Sequence, residues 1–170
     1  MGGKKVLRIP VEIKREDLDH SKLPSYVGIV GSREFEKRGV RQQVYADMLR
    51  FINKLKSGTT IVSGGAIGAD SYAEEIAKNF HRPFELFIPD NTIKSPQRYY
   101  KRNRELVEFL ASKGGVIIGF VMQGHHGGTT NTFKHARELK VPRLTFVYDE
   151  HGQFIKIICD QQLLKEFVHD

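Results

Sequence analysis

Thr60–Phe80, TIVSGGAIGADSYAEEIAKNF, changes its apolar pattern halfway along. Thr60, Ile61 and Val62 make a short apolar run of strand type, and Gly64, Gly65 and Gly68 mark the loop that follows. Ala69, Ala73, Ile76, Ala77 and Phe80 then recur at helical spacing. The glycines leave no side chains between strand and helix, so a ligand can reach the backbone there. The N–H groups of the first helical turn have no partner within the helix and attract an anion. A second stretch has the same order: strand Val116–Met122, loop Gln123–Asn131 (QGHHGGTTN), and a helix from about Thr132. Two such turns point to a phosphorylated ligand and a phosphate-binding loop.

Outward from these turns, strand and helix alternate. Tyr26–Val30 reads as a strand ending at Gly31-Ser32-Arg33. Val40, Val44, Met48, Phe51, Ile52 and Leu55 mark a long amphipathic helix closed by Ser57-Gly58. Phe84–Ile88 is the next expected strand, and Gln97–Ser112 the next helix, with Leu106, Val107 and Leu110 on its apolar face. Leu144–Tyr148 and Phe154–Cys159, joined by Asp149–Gly152, read as a C-terminal hairpin, with a short helix around Leu163–Val168. Lys5–Lys14 alternates cleanly, and Pro10 makes it an edge strand. Glu16–Pro24 reads as a polar connector. The expected fold is α/β: a Rossmann-like, mostly parallel sheet with helices on both faces, plus the N-terminal edge strand and the C-terminal hairpin and helix. One domain is expected over residues 1–170, with a core of about 26–147. The edge strand and hairpin either extend the sheet or form the contact of a homo-oligomer.

Composition narrows the partners. A net charge of +7 and a pI near 9.5 favour anions, nucleic acid among them. The single cysteine, Cys159, excludes an internal disulfide and a cysteine-based zinc site. No apolar run is long enough for a membrane span, and MGGKKVLRIP lacks the pattern of a signal peptide. Val6 stands where a myristoylation motif needs Ser or Thr. A cytoplasmic protein with no membrane partner is expected.

Ligands on parallel sheets bind at the carboxyl ends of the strands. The chain after Val30, Val62 and Met122 is glycine-bearing each time, so the three ends are expected to share one cleft. The expected ligand-binding residues are Gly31, Ser32, Arg33, Ser63, Gly64, Gly65, Gly68, Asp70, Arg102, Asn103, Gly127, Gly128, Thr129 and Thr130. Asp70 is either a helix cap or an acceptor for ribose hydroxyls. Asn103 shares the buried stripe of Leu106, Val107 and Leu110, and Arg102 flanks it near the ligand edge. The glycines do not spell the GxGxxG fingerprint, so a nicotinamide or flavin cofactor is not expected. His125-His126 lacks partner ligands, and no metal is expected. Ser32, Ser63 and Cys159 have no flanking pattern that would activate a nucleophile.

Val27–Phe35 (VGIVGSREF), Val62–Glu74 (VSGGAIGADSYAE), Arg102-Asn103 and Gly127–Ala136 (GGTTNTFKHA) together resemble the SLOG superfamily, most nearly its YspA-like (YpsA-related) branch. The resemblance runs over about Tyr26–Val147. It implies a Rossmann-like fold that binds nucleotides or nucleotide-derived molecules. The superfamily includes the lonely-guy phosphoribohydrolases, which cleave the N-glycosidic bond of nucleoside monophosphates, and the DprA proteins, which bind single-stranded DNA. The phosphoribohydrolase loop PGGxGTxxE is matched at Gly128-Thr129, but Thr132 stands at its glutamate position. Arg102 matches that family's arginine, and Asn103 replaces the lysine after it. An enzyme of this type needs a carboxylate near the glycosidic carbon. Here Asp70, Glu74 or Glu105 would have to supply it, with Arg102. The leading expectation is therefore binding of a nucleotide or nucleotide derivative, ahead of hydrolysis and of weak nucleic-acid binding.

Overall fold

The computed structural model describes residues 9–125 and 129–170. Its seven strands are β1 (Pro10–Ile13), β2 (Tyr26–Gly31), β3 (Thr60–Ser63), β4 (Phe84–Leu86), β5 (Val116–Met122), β6 (Arg143–Tyr148) and β7 (Phe154–Asp160). The helices are α1 (Glu34–Lys37), α2 (Arg41–Asn53), α3 (Ala69–Asn79), α4 (Gln97–Ser112), α5 (Thr129–Glu138) and α6 (Leu164–Phe167). One sheet holds the strands in the order β1-β7-β6-β5-β2-β3-β4. Strands β6, β5, β2, β3 and β4 run parallel, while β7 and then β1 add antiparallel at one side. The N-terminal strand and the hairpin therefore extend the sheet.

Alternation along the strands sorts the core onto two faces. Ile29, Ile61, Ile118 and Phe120 pack with Val44, Met48 and Phe51 of α2 and Tyr72 and Ile76 of α3. Val30, Val62 and Ile117 pack with Leu106, Val107 and Leu110 of α4 and Ala136 of α5. Two strand glycines admit large side chains on this second face. A Cβ at Gly28 would lie 2.6 Å from a Leu110 methyl, and one at Gly119 would lie 2.5 Å from the Phe133 ring. Burial on both faces explains why β5 is one unbroken apolar run, VIIGFVM.

Several boundaries differ from expectation. Helix α5 starts at Thr129, not about Thr132, so the preceding loop is shorter than Gln123–Asn131. Strand β4 stops at Leu86, leaving Ile88 69% exposed. Helix α2 ends at Asn53, and Ser57-Gly58 lie past it. There the Arg82 guanidinium donates to the carbonyls of Ile52, Leu55 and Lys56, replacing the intrahelical bonds that stop. Strand β1 is four residues long; of the expected Lys5–Lys14 strand, residues 5–8 lie outside the described residues. Glu16–Pro24 is more than a polar connector, since Leu18 and Leu23 are buried and 3-10 turns cover Arg15–Asp17 and His20–Lys22. Phe80, counted on the apolar face of α3, is half exposed beyond its last turn.

The chain runs outward from β2 to β3 to β4, then crosses back through α4 to β5 on the other side of β2. Strand order thus reverses between β2 and β5. At such a reversal the following loops diverge to opposite faces and leave a crevice at the carboxyl ends of the strands.

Candidate ligand cavity at the strand ends

A cavity of about 540 Å³ opens at this reversal. Val30, Gly31, Ser32, Arg33, Glu34 and Lys37 line it from the end of β2 and from α1. Gly64, Ala66 and Asp70 come from the β3–α3 turn. Pro96, Tyr99, Tyr100, Arg102, Asn103 and Leu106 come from the start of α4, and Gly124, His125, Thr129 and Thr132 from beyond β5. The ends of β2 and β3 thus meet at one edge through Gly31 and Gly64. Gly127 and Gly128 lie outside the described residues.

Close approach explains the glycines. A Cβ on Gly31 would lie 2.3 Å from the Phe120 carbonyl oxygen and 2.4 Å from the Ala69 Cβ. Gly68 has φ +99° and lies against the Ser32 carbonyl, so the β3–α3 and β2–α1 turns touch through backbone alone. Gly64 and Gly31 line the cavity, whereas Gly65 and Gly68 shape the turn behind it. Ser63 is fully buried: its hydroxyl donates to the Asp70 carbonyl and accepts from the Gly65 N–H. Thr130 is exposed and away from the cavity lining.

Asp70 is not the cap of α3. Gly68 holds the N-cap position without a side-chain bond, and the Asp70 carboxylate reaches across to accept the Gly31 N–H at 3.1 Å. The amides of Gly64 and Ala66 also favour its charged form. The carboxylate therefore sits in the backbone nest that would otherwise receive an external anion. Burial outweighs these donors and the nearby Arg102 cation, raising the Asp70 pKa from 3.8 to about 6.

Arg102 is buried beside it. Its Nη1 donates to the Gly64 carbonyl at 2.7 Å and its Nε to Asn103 Oδ1 at 2.9 Å. Burial lowers the pKa of Arg102, Asp70 opposes that, and Arg33 adds repulsion. The Asn103 amide donates to Asn131 Oδ1 at 3.1 Å, tying α4 to α5. Arg33 itself is exposed at the start of α1, with no ion-pair partner among the described residues. Lys37 and Arg38 both pair with Glu34, and Arg38 also meets His125 at 3.1 Å. Glu74 lies outside the cavity, paired with Lys78, and Glu105 pairs with Lys101.

The sequence places the first turns of α4, Tyr99 to Arg104, over the cleft, and Tyr99 and Tyr100 do line it; it does not single out Pro96 or Lys37. The tyrosines precede Arg102 by less than one helical turn at the ligand end of α4. Together the cavity offers an exposed guanidinium, buried hydroxyls of Ser32, Thr129 and Thr132, and aromatic surface. That set suits a molecule with an anionic end and a planar end.

These features define a Rossmann-like α/β protein with a polar cavity at its topological switch point. Within that class, the chain belongs to the family of DNA recombination-mediator protein A, whose model matches residues 15–135. Among solved structures it is similar to the DNA processing protein A (DprA) of Streptococcus pneumoniae. The identity is 18% and the TM-score 0.49, with 88% of this chain and 63% of that chain covered. The chain thus spans less than two thirds of that relative. A second similar structure is TcCGT1 in complex with UDP, at 16% identity and TM-score 0.36, covering 75% of this chain and 28% of that one. No protein of curated function matches. No helix among the described residues is long and apolar enough to cross a membrane.

Proposed function

We propose that the cavity at the ends of β2, β3 and β5 binds a nucleotide or nucleotide-derived molecule, as expected of the YspA-like branch. The observation that carries the reading is the convergence of Gly31, Gly64, Arg33 and Arg102 with Tyr99 and Tyr100 on one 540 Å³ space. That volume lies within the range of about 300–1,000 Å³ typical of small-ligand sites. Because Asp70 already fills the amide nest of the β3–α3 turn, the ligand's anionic end belongs on the Arg33 and Thr129 side.

A second reading, single-stranded DNA binding, is favoured by the family and by the net charge of +7. Charge of this kind gives affinity that falls steeply with salt, because phosphate contacts release counterions. A cytoplasmic location accords with either reading. The hydrolase reading lacks a carboxylate suited to the work: Asp70 is committed to backbone amides, Glu74 and Glu105 lie outside the cavity, and the lining Glu34 is paired with two cations.

Mass spectrometry of small molecules released from the purified protein tests the leading reading. A retained phosphorylated species with a nucleobase supports it. Absence of one, with tight binding that strengthens with oligonucleotide length, would give the second reading first place.

A further inference from the structure

A second cavity, of about 360 Å³, lies on the α2 face of the sheet, between α2, the 3-10 segment and β6. Helix α2 runs from the end of β2 back toward the start of β3, so its last turns are remote from the glycine turns. Asp47, Arg50 and Phe51 of α2 and Lys54 just past its end face Arg15, Glu16, Leu18 and His20 of the 3-10 segment and Phe146 of β6.

The centre of this cavity is one buried carboxylate that serves two guanidiniums. Asp47 is 9% exposed, and its Oδ1 accepts from Arg15 at 2.8 Å and also from Arg50. Its Oδ2 accepts the Tyr148 hydroxyl at 3.0 Å, so both of its oxygens are used. The Arg15 and Arg50 side chains remain 48% and 64% exposed, so donors of each still face solvent. Lys54 adds a third cation; burial, and after it this lysine, hold the His20 ring below its ordinary pKa. Against these three cations the lining carries two carboxylates, Asp47 and Glu16. The floor is apolar, with Phe51 and Phe146 in contact at 5.5 Å between ring centroids and Leu18 beside them.

Fold maintenance accounts for only part of this arrangement. Arg15 also lies over the Phe154 ring at 4.3 Å, so its place is structural. A cation near the last turn of a helix ordinarily complements the carbonyls there. In α2 that task falls to Arg82, which bonds the carbonyls of Ile52, Leu55 and Lys56. Lys54 has no ion-pair partner among the described residues. Guanidiniums preset by a shared carboxylate, with a lysine beside them, match the oxygens of a phosphate group.

We propose that this cavity is a second subsite for nucleotide phosphate, in which Arg15, Arg50 and Lys54 hold the phosphate group. The phosphate chemistry is shared by a free mononucleotide and by one unit of a single strand. The site is independent of the cavity at the glycine turns.

Amide NMR on the full-length labelled protein tests it, with deoxyadenosine 5′-monophosphate and a short oligothymidylate as probes. Arg50→Ala/Lys54→Ala alters two exposed side chains and leaves the Arg15–Asp47–Tyr148 bonds in place. Arg33→Ala serves as the control at the other cavity. One or both probes should shift the amides of Phe51–Leu55, in the native chain and in Arg33→Ala alike. In the double variant the dissociation constant read from those shifts should rise at least fivefold. Response to the oligonucleotide alone identifies a strand as the source, and response to the mononucleotide identifies a free nucleotide. No shift at these amides with either probe, or a rise of less than fivefold, would overturn the proposal.

Discussion

Replacing Asp70 by Asn isolates the electrostatic strain at the centre of the glycine-turn cavity. The Asp70 pKa is raised from 3.8 to about 6 because burial penalises the carboxylate more than Arg102 and three amides favour it. A raised folded-state pKa means that the native protein binds this proton more tightly than the unfolded chain does. Stability from this group is therefore fully present below about pH 4 and is lost as pH rises through about 6. At about 1.4 kcal/mol per unit, the loss is on the order of 3 kcal/mol. Asn is uncharged throughout and keeps an acceptor for the Gly31 N–H, so it mimics the protonated acid. Urea unfolding of both proteins at several pH values between 4 and 7.5 gives the difference in stability, in which other titrating groups cancel. That difference should move by about 2.4 kcal/mol in favour of Asp70→Asn between the two ends. A difference that stays flat, or moves the other way, would refute the assignment of a strained, buried carboxylate.

Gly31→Ala places a methyl group against the Phe120 carbonyl and the Ala69 Cβ, and should cost about 3 kcal/mol or prevent folding; thermal unfolding by circular dichroism reads this. Gly39→Ala is not an equal control, because φ is +66° there; Ser57→Ala, on an exposed turn, should change stability by less than about 0.5 kcal/mol. Nucleoside monophosphates incubated with the protein should release little or no free base, since Thr132 stands in place of a glutamate. Robust release abolished by Arg102→Ala would promote the hydrolase reading. Single-stranded oligonucleotide binding, followed by fluorescence anisotropy, should weaken steeply as salt rises, and tight length-dependent binding at physiological salt would favour the second reading.

The parallel sheet was legible because its strands are short apolar runs punctuated by glycine, and α4 and β5 begin and end where their periodicity does. The inward place of Asn103 followed from spacing alone, and the side chain is buried. Less visible were features set by contacts distant in sequence. Asp70 looks like a helix cap from its neighbours, yet its bond runs to Gly31, thirty-nine residues away. The true end of α2 depends on Arg82, which no local pattern links to Ile52. Thr129, Thr130 and Asn131 read equally well as loop or as first turn, so the sequence alone starts α5 too late; side-chain oxygens near a helix start permit both. The Asp47 cluster joins Arg15 to Tyr148 across most of the chain, and nothing in either neighbourhood announces it.

The central claim is that the cavity at the glycine turns holds the charged end of a nucleotide on its Arg33 side. Isothermal titration of nucleoside mono- and diphosphates into the native protein and into Arg33→Ala measures it most directly. A charge-assisted hydrogen bond from Arg33 contributes about 1.5–3 kcal/mol, so its loss should weaken binding roughly ten- to a hundredfold. Arg33 is the cleaner position, because Arg102 also bonds Gly64 and Asn103 and its removal would disturb the turn itself. Equal affinity of both proteins for every nucleotide, with the fold intact by circular dichroism, would contradict the account.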